Sequence, residues 1–247
     1  FEKRWTINSM MNLQEVLKTP NILHDMDKTH FQNKSAIIVA AGPSLDEEIE
    51  HLKYIKDHGL AYIFSVGSAI NTLIEYDIYP HAMCTYDPKI ENQLVFKKLI
   101  DRGINSIPLI FGSSVGFETI QKYDGPKLHM ITSQDTVSLH FLRHKSGVNI
   151  KTVNDASSIA VITLQLLCEL GFKTIILVGQ NFAFKGRLQY SDGIEHHPLQ
   201  VNDDNLKNAF VVKDVEGNDV LTNDTYNNMR KQMEQYIKQY TAIEVIN

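Results

Sequence analysis

Small and hydrogen-bonding residues follow almost every apolar run in this sequence. The first run, "SAIIVAA" (35–41), leads into a glycine, a proline and a serine, and later runs lead into similar groups. If the runs are parallel strands, these groups meet at one edge of a sheet, where open α/β sheets bind ligands. Their accumulation therefore predicts a ligand cleft. The groups are Gly42-Pro43-Ser44, Gly67-Ser68, Asp87-Pro88, Gly112-Ser113-Ser114, Ser133-Gln134-Asp135 and Gly179-Gln180-Asn181.

The group at Gly42 has the composition of a phosphate site. Gly42 would let a phosphate or a sugar approach the main-chain amides with no Cβ in the way. The helix predicted after it would add N–H groups and a partial positive charge. Capping accounts for the same residues without a ligand, because Ser44 and Glu47 have the spacing of a capping box. The segment has neither a GxGxxG nor a GxxxxGK[ST] pattern, so both interpretations stay open.

A proton carrier in such a cleft would be a histidine or a carboxylate. His196 and His197 lie in a polar segment beside Asp192, and one of them could deprotonate an acceptor hydroxyl. As solvated loop residues, the two histidines would need no function. Asp87 either belongs to a turn or contacts a sugar hydroxyl.

Two serines begin another predicted helix, "NDASSIAVITLQLLCELG" (154–171), which ends at Gly171. Ser157 and Ser158 are either caps or phosphate ligands. A DxD pattern, Asp25-Met26-Asp27, precedes the first strand and is predicted to be part of a linker. No metal site is therefore expected.

The elements that would position these residues alternate along the chain. Apolar runs separated by helices are typical of a mostly parallel sheet that is covered on both faces, so we expect an α/β fold. Strands are predicted at 35–41, 61–66, 82–86, 107–111, 128–132 and 174–178, and helices at 45–57, 68–76, 90–102, 114–123 and 157–170.

The two ends of the chain differ from this pattern. Residues 5–18 predict a helix that stops near Thr19-Pro20, and residues 20–34 a polar linker. We therefore expect an N-terminal helix and linker (1–34) and one main domain (35–247). Towards the C-terminus we expect a lid region at 183–208, a β-hairpin at 210–223, a helix at 225–240 and a last strand.

The composition is that of a globular protein. The chain has 247 residues, of which 43% are hydrophobic and 21% charged, and its net charge is −5. The negative charge argues against a general nucleic-acid partner. The longest apolar stretches are too short to span a bilayer. Cys84 and Cys168 show no CxxC pair or zinc spacing, so reduced thiols and a cytoplasmic location are expected.

Three segments together resemble the Maf (motility-associated factor) flagellin glycosyltransferases: "VAAGPSLD", "SVGSAINTLIEYDIYPHAMCTYDP" and "NDASSIAVITLQLLCELGFKTIILVGQNFAF". Their order is also similar to that of bacterial sialyltransferases, and the resemblance covers about residues 35–190. It implies a Rossmann-like domain that transfers a nonulosonic acid, such as pseudaminic or legionaminic acid. The donor would be a CMP-sugar and the acceptor a Ser or Thr hydroxyl of flagellin. Family members are longer, so this chain would be one domain of a longer motility protein.

The resemblance also implies roles for individual residues. Asp87 would contact the sugar, and His196 or His197 would act as the base of a metal-independent, inverting transfer that needs no cofactor besides its donor substrate. Relatives often have an aspartate where this chain has Asn181. The donor-binding residues would be Ala41, Gly42, Pro43, Ser44, Leu45, Gly67, Ser68, Ser133, Ser157, Ser158, Gln180 and Asn181.

Two alternatives remain open. Archaeal hydroxymethylpterin pyrophosphokinase shares this domain type, and that activity would use ATP and magnesium. It predicts carboxylates around the cleft, for which Asp87, Asp135 and Asp155 are candidates. The other alternative is a non-catalytic flagellin-binding module, which would be favoured if neither histidine faced the cleft.

Overall fold

A computed structural model describes residues 2–142, 149–195 and 197–247. Within these ranges, eight strands form one sheet with the order β10-β7-β1-β2-β3-β4-β5-β6, and every neighbouring pair is parallel. The remaining two strands, β8 and β9, form an antiparallel hairpin. The strands are β1 (Ser35–Val39), β2 (Tyr62–Val66), β3 (Ala82–Thr85), β4 (Leu109–Gly112), β5 (Lys127–Thr132), β6 (Thr152–Val153), β7 (Thr174–Val178), β8 (Phe210–Lys213), β9 (Asp219–Thr222) and β10 (Glu244–Ile246).

Helices cover both faces of the sheet, so the predicted α/β fold class is confirmed. No helix within the described ranges is long and apolar enough to cross a membrane. Short 3₁₀ segments occupy Lys28–His30, Pro43–Glu47 and Ile90–Phe96. The helices are α1 (Glu2–Lys18), α2 (Ile49–Asp57), α3 (Ala69–Glu75), α4 (Lys97–Asp101), α5 (Phe117–Lys122), α6 (Thr136–Phe141), α7 (Ile159–Leu170), α8 (Asp203–Lys207) and α9 (Asp224–Gln239).

The core lies on both sides of the central strands. In β1, Ala36 and Ile38 contribute to one buried cluster, and Ile37 and Val39 contribute to another on the opposite face. Because both faces are covered, the strand reads as a continuous apolar run rather than an alternating one. Ten of the twelve residues of α7 are buried, which explains why its sequence is apolar on all sides.

Several predicted elements have different bounds or were missed. The helix expected at 45–57 is a 3₁₀ turn followed by α2, and the one expected at 90–102 is a 3₁₀ segment followed by α4. Neither β6, which has two residues, nor α6, which has six, was predicted, because neither is long enough to show a hydrophobic period. The hairpin and the last strand are confirmed.

The segment between α1 and β1 packs on the sheet. Ile22 and Leu23 are buried in the main cluster, and Asn21 forms a parallel bridge with His129 of β5. The polar composition that predicted a linker therefore hides two core residues. The division of the chain at residue 34 stays a prediction.

Candidate functional site

A cleft of about 770 Å³ opens at the carboxyl ends of β1, β2, β3 and β7. In the sheet, β1 lies between β2 and β7, so the chain leaves β1 in one direction and returns beside it from the other. Crevices at such a switch in strand order are the usual ligand sites of open α/β sheets. The predicted cleft is therefore present at the predicted edge.

The turn after β1 is packed against the turn after β7. The N–H of Gly42 donates to the carbonyl of Gly179 at 3.0 Å, and the N–H and hydroxyl of Ser44 donate to Oδ1 of Asn181 at 3.1 and 2.9 Å. A Cβ on Gly42 would lie 2.3 Å from the Gly179 oxygen and 2.4 Å from Oδ1 of Asn181. The space left by the missing Cβ is therefore filled by the protein itself.

Neither of the two alternatives predicted at this corner, a capping box or a phosphate site built from main-chain N–H groups, is present. Pro43 has no N–H, the N–H of Leu45 donates to the Gly42 carbonyl, and the N–H of Ser44 is capped by Asn181 rather than by Glu47. Among the described residues, no main-chain N–H from 42 to 45 is left for a phosphate. Nucleotide binding at this corner stays a prediction, and it would have to use atoms other than these N–H groups.

Two acidic residues of this turn, Asp46 and Glu47, bind residues of the lid region. Asp46 accepts hydrogen bonds from the N–H of Asp192 at 3.2 and 3.3 Å, and Glu47 forms an ion pair with Lys185. Both partners lie within 183–208. The acidic start of the helix thus anchors the segment that lies over the cleft.

Gly67 provides the open approach that was predicted for Gly42. It has a left-handed backbone with φ of +51°, which favours glycine. Of the described residues, only Ile159 Cγ2 comes within 4 Å of a Cβ placed on Gly67, at 3.7 Å. Gly67 and Ser68 both line the cleft.

The serines at the start of α7 face a side chain from α9. The N–H and hydroxyl of Ser157 both donate to Oε1 of Gln232, at 2.9 and 2.6 Å. Ser158 is the N-cap, and its hydroxyl accepts from the N–H of Ala160 at 3.2 Å. One carboxamide oxygen therefore occupies the donor pair that was predicted to hold a phosphate or carboxylate.

Gln180 supplies a donor without a partner. Its Nε2 is buried and has no hydrogen-bond partner among the described residues, yet Gln180 lines the cleft. Leaving a buried donor unpaired costs about 1–3 kcal/mol, so Gln180 Nε2 is a candidate donor to a ligand or a water in the cleft.

Two carboxylates line the cleft, and they differ in environment. Asp87 is exposed and accepts a hydrogen bond from the N–H of Lys89 at 2.9 Å. Asp155 accepts one from the hydroxyl of Tyr86, and partial burial raises the pKa of the Asp155 carboxyl. No cluster of three or more potential metal-ligating side chains occurs within the described ranges.

Aromatic residues from the lid region and α9 form one wall. The rings of Tyr190 and His197 are stacked, with centroids 5.5 Å apart and planes at 14°. Tyr190 and Tyr226 both line the cleft, and burial raises the pKa of both phenols. The wall therefore combines a flat apolar surface with neutral hydroxyl groups and the ring of His197.

Comparison with known proteins identifies the family. A family model described as "6-hydroxymethylpterin diphosphokinase MptE-like" matches residues 7–187. The chain belongs to the MptE-like family. The central domains of Maf glycosyltransferases belong to the same family, so the resemblance seen in the sequence is confirmed. A search of curated proteins gave no match.

A solved structure has a fold similar to that of this chain. The chain matches the structure of MAf glycosyltransferase from Magnetospirillum magneticum AMB-1 with a TM-score of 0.71 and 15% sequence identity. The match covers 100% of this chain and 37% of the other, so the present chain spans little more than a third of that protein. At this identity the likeness concerns the fold.

The MptE-like chain brings most of the predicted site residues together. Ser44 is held by Asn181 outside the cleft lining, Leu45 is buried in the core, and Ser133 accepts a hydrogen bond from the N–H of Asp155. His196 lies outside the described residues. The predicted residues that line the cleft are Ala41, Gly42, Pro43, Gly67, Ser68, Asp87, Ser157, Ser158, Gln180, Asn181 and His197.

Residues from distant parts of the chain also line the cleft and were not predicted from the sequence. They are Trp5 of α1, Asn92, Tyr190 of the lid region, and Tyr226 and Gln232 of α9. None follows a strand of the sheet directly, so the strand-exit rule could not find them. Met229 of α9 also lines the cleft, and the i, i+3 steps from Tyr226 to Met229 and from Met229 to Gln232 are a spacing that could have indicated one side of the helix.

Proposed function

We propose that this domain is a cytoplasmic glycosyltransferase that moves a nonulosonic acid from a CMP-activated donor to Ser or Thr hydroxyls of flagellin. The composition of the cleft wall carries the proposal. Lys89 is the only lysine or arginine among the described lining residues, whereas hydroxyl and carboxamide side chains are numerous. Such a wall suits the single phosphodiester charge and the many hydroxyls of a CMP-sugar, and the family membership and the Maf-like fold agree with it.

The chemical step would use His197, Asp87 and Gln180, all of which line the cleft. His197 accepts the proton of the acceptor hydroxyl, and the hydroxyl oxygen attacks the anomeric carbon of the sugar. The bond between that carbon and the phosphate oxygen breaks, and CMP leaves with the electron pair. Asp87 orients the sugar by accepting hydrogen bonds from its hydroxyls, and Gln180 Nε2 donates to the donor substrate. Because His197 lines the cleft, this proposal is preferred to a non-catalytic module.

Calorimetry tests the donor class. We expect CMP and a CMP-sugar to bind with EDTA present, and ATP with magnesium to bind weakly or not at all. Replacing His197 by alanine should lower the transfer rate by 10²-fold or more, on the order expected for a general base, with little change in CMP affinity. His58→Ala is the matched control, since His58 is an exposed histidine at the C-terminal end of α2 and is not among the described residues that line the cleft. Full transfer activity of His197→Ala would remove the base assignment.

A pyrophosphokinase is the second candidate. The description of the family model names a diphosphokinase, and Asp87 and Asp155 both line the cleft, where two carboxylates and substrate phosphates could hold magnesium. Asp135, the third carboxylate considered, caps α6 and lies outside the lining. Strictly magnesium-dependent ATP binding, lost in Asp155→Asn, would favour this activity over glycosyl transfer.

A further inference from the structure

Helix α1 is hydrogen-bonded to the loop that carries Asp87 and Lys89, two of the charged residues that line the cleft. Asn8 is completely buried, and its Nδ2 donates to the carbonyls of Pro88 at 2.9 Å and Ser114 at 3.1 Å. Nε of Arg4 donates to the same Pro88 carbonyl at 3.2 Å, and Arg4 forms an ion pair with Glu118 at 2.7 Å. One backbone oxygen of the loop is therefore held by two side chains of α1.

The Pro88 carbonyl lies between the two charged side chains of this loop. Asp87 and Lys89 flank it, and both line the cleft. The loop is also held from β4's side, because the N–H of Gly116 donates to the Asp87 carbonyl at 3.1 Å. A Cβ on Gly116 would lie 2.7 Å from the Lys89 carbonyl, so the two segments are in close contact.

We propose that Asn8 is a positioning residue of the binding cleft, which fixes Asp87 and Lys89 through the Pro88 carbonyl. The inference rests on the proposed function for the identity of the ligand, but the positioning itself does not. Helix α1 would then contribute to the site in two ways: Trp5 lines the cleft directly, and Asn8 positions the loop that carries Asp87 and Lys89. Truncating Asn8 would leave the buried Pro88 carbonyl with Arg4 alone and allow the loop to move.

The chain contains a matched control one helical turn further along α1. Asn12 is 2% exposed, and its Nδ2 also bridges two backbone carbonyls, those of Ser113 at 3.1 Å and Val115 at 2.8 Å. Asn8→Ala and Asn12→Ala therefore remove the same type of side chain, the same number of hydrogen bonds and similar burial. They differ in that only Asn8 bonds to the loop that lines the cleft.

Hydrogen–deuterium exchange tests the positioning without a ligand. We expect Asn8→Ala to accelerate exchange of the Lys89 amide by roughly tenfold relative to Asn12→Ala, since only Asn8→Ala removes a hydrogen bond to the loop, the one to the Pro88 carbonyl. Equal acceleration in the two variants, or none in either, would overturn the proposal. Exchange in each variant is measured at the same number of degrees below that variant's own unfolding midpoint. A general loss of stability then affects both exchange rates equally and cancels in their ratio.

Calorimetry with CMP then separates the two proposals. We expect Asn8→Ala to weaken CMP binding by roughly tenfold and Asn12→Ala to change it little, and we expect Asn8→Ala to add nothing in the Asp87→Ala, Lys89→Ala background. If wild-type protein does not bind CMP but the exchange rates differ as expected, the positioning role of Asn8 is supported and the proposed CMP-sugar donor is refuted. If CMP binds equally well to all variants and the exchange rates do not differ, the positioning role of Asn8 is refuted and the proposed CMP-sugar donor is supported.

Discussion

His129 is buried beneath the segment that joins α1 to the sheet, and acid should loosen this attachment. The residue is 5% exposed, with Nδ1 3.1 Å from the hydroxyl of Thr19 and Nε2 3.3 Å from Nδ2 of Asn21. Nδ2 of Asn21 can only donate, because Oδ1 is the acceptor of that side chain and already accepts from the N–H of Leu23; Nε2 of His129 therefore accepts and the imidazole is neutral. Burial lowers its pKa to about 4, although the carboxylate of Asp25 opposes the shift.

The sign and size of the effect follow from the two pKa values. The unfolded chain, with a histidine pKa of about 6.5, binds a proton more readily than the folded protein. The contribution of His129 is therefore complete above pH 6.5 and is lost as the pH falls towards 4. Between pH 7 and pH 5 this single group should lower the free energy of unfolding by about 2 kcal/mol.

Urea unfolding at pH 7 and pH 5 measures this loss. In His129→Gln the titrating group is absent, so the free energy of unfolding should fall by about 2 kcal/mol less between these pH values than in the wild type. Taking this difference cancels the contributions of other titrating groups, including the nearby His24. The reasoning is refuted if both proteins lose the same free energy, because the folded imidazole would then titrate normally.

Two further predictions concern carboxamides of the cleft. Gln180→Met should raise the free energy of unfolding by about 1 kcal/mol, because it removes a buried unpaired donor, and urea denaturation measures this gain. The same variant should bind CMP roughly tenfold more weakly in calorimetry. Unchanged affinity would show that Gln180 Nε2 does not donate to the nucleotide. Gln232→Ala should tighten CMP binding by roughly fivefold to tenfold, because it frees the N–H and hydroxyl of Ser157 for the ligand. Weaker binding would instead mean that Gln232 itself contacts the nucleotide.

Most of the fold could be predicted because its signals are local. The apolar runs of β1 and β7 and the apolar sequence of α7 follow directly from burial on both sides of a layer. The short α6 has a local signal too, since Asp135 caps it by accepting from the N–H of Ser138 at 2.9 Å, but six residues show no clear period. Short elements depend on their packing partners, which the sequence does not display.

The site was predicted only in part, because partners were assigned from neighbours in sequence. The spacing of Ser44 and Glu47 favoured a local capping box, yet Asn181, 137 residues away, caps Ser44. The serine pair at the start of α7 was found, but its partner Gln232 lies 75 residues beyond Ser157. Hydrogen bonds across the sheet are decided by which strands are neighbours, and a single sequence gives that order weakly.

The sequence by itself determined the layered α/β architecture and the edge of the sheet where polar residues collect, because hydrophobic periodicity and turn chemistry act over a few residues. The tertiary structure alone decided which of those residues face the cleft. It placed β7 beside β1, so that Gly179 fills the space left at Gly42, and it brought residues of α1 and α9 into the cleft lining. These contacts join segments far apart in the chain, and only the packing of the whole domain determines them.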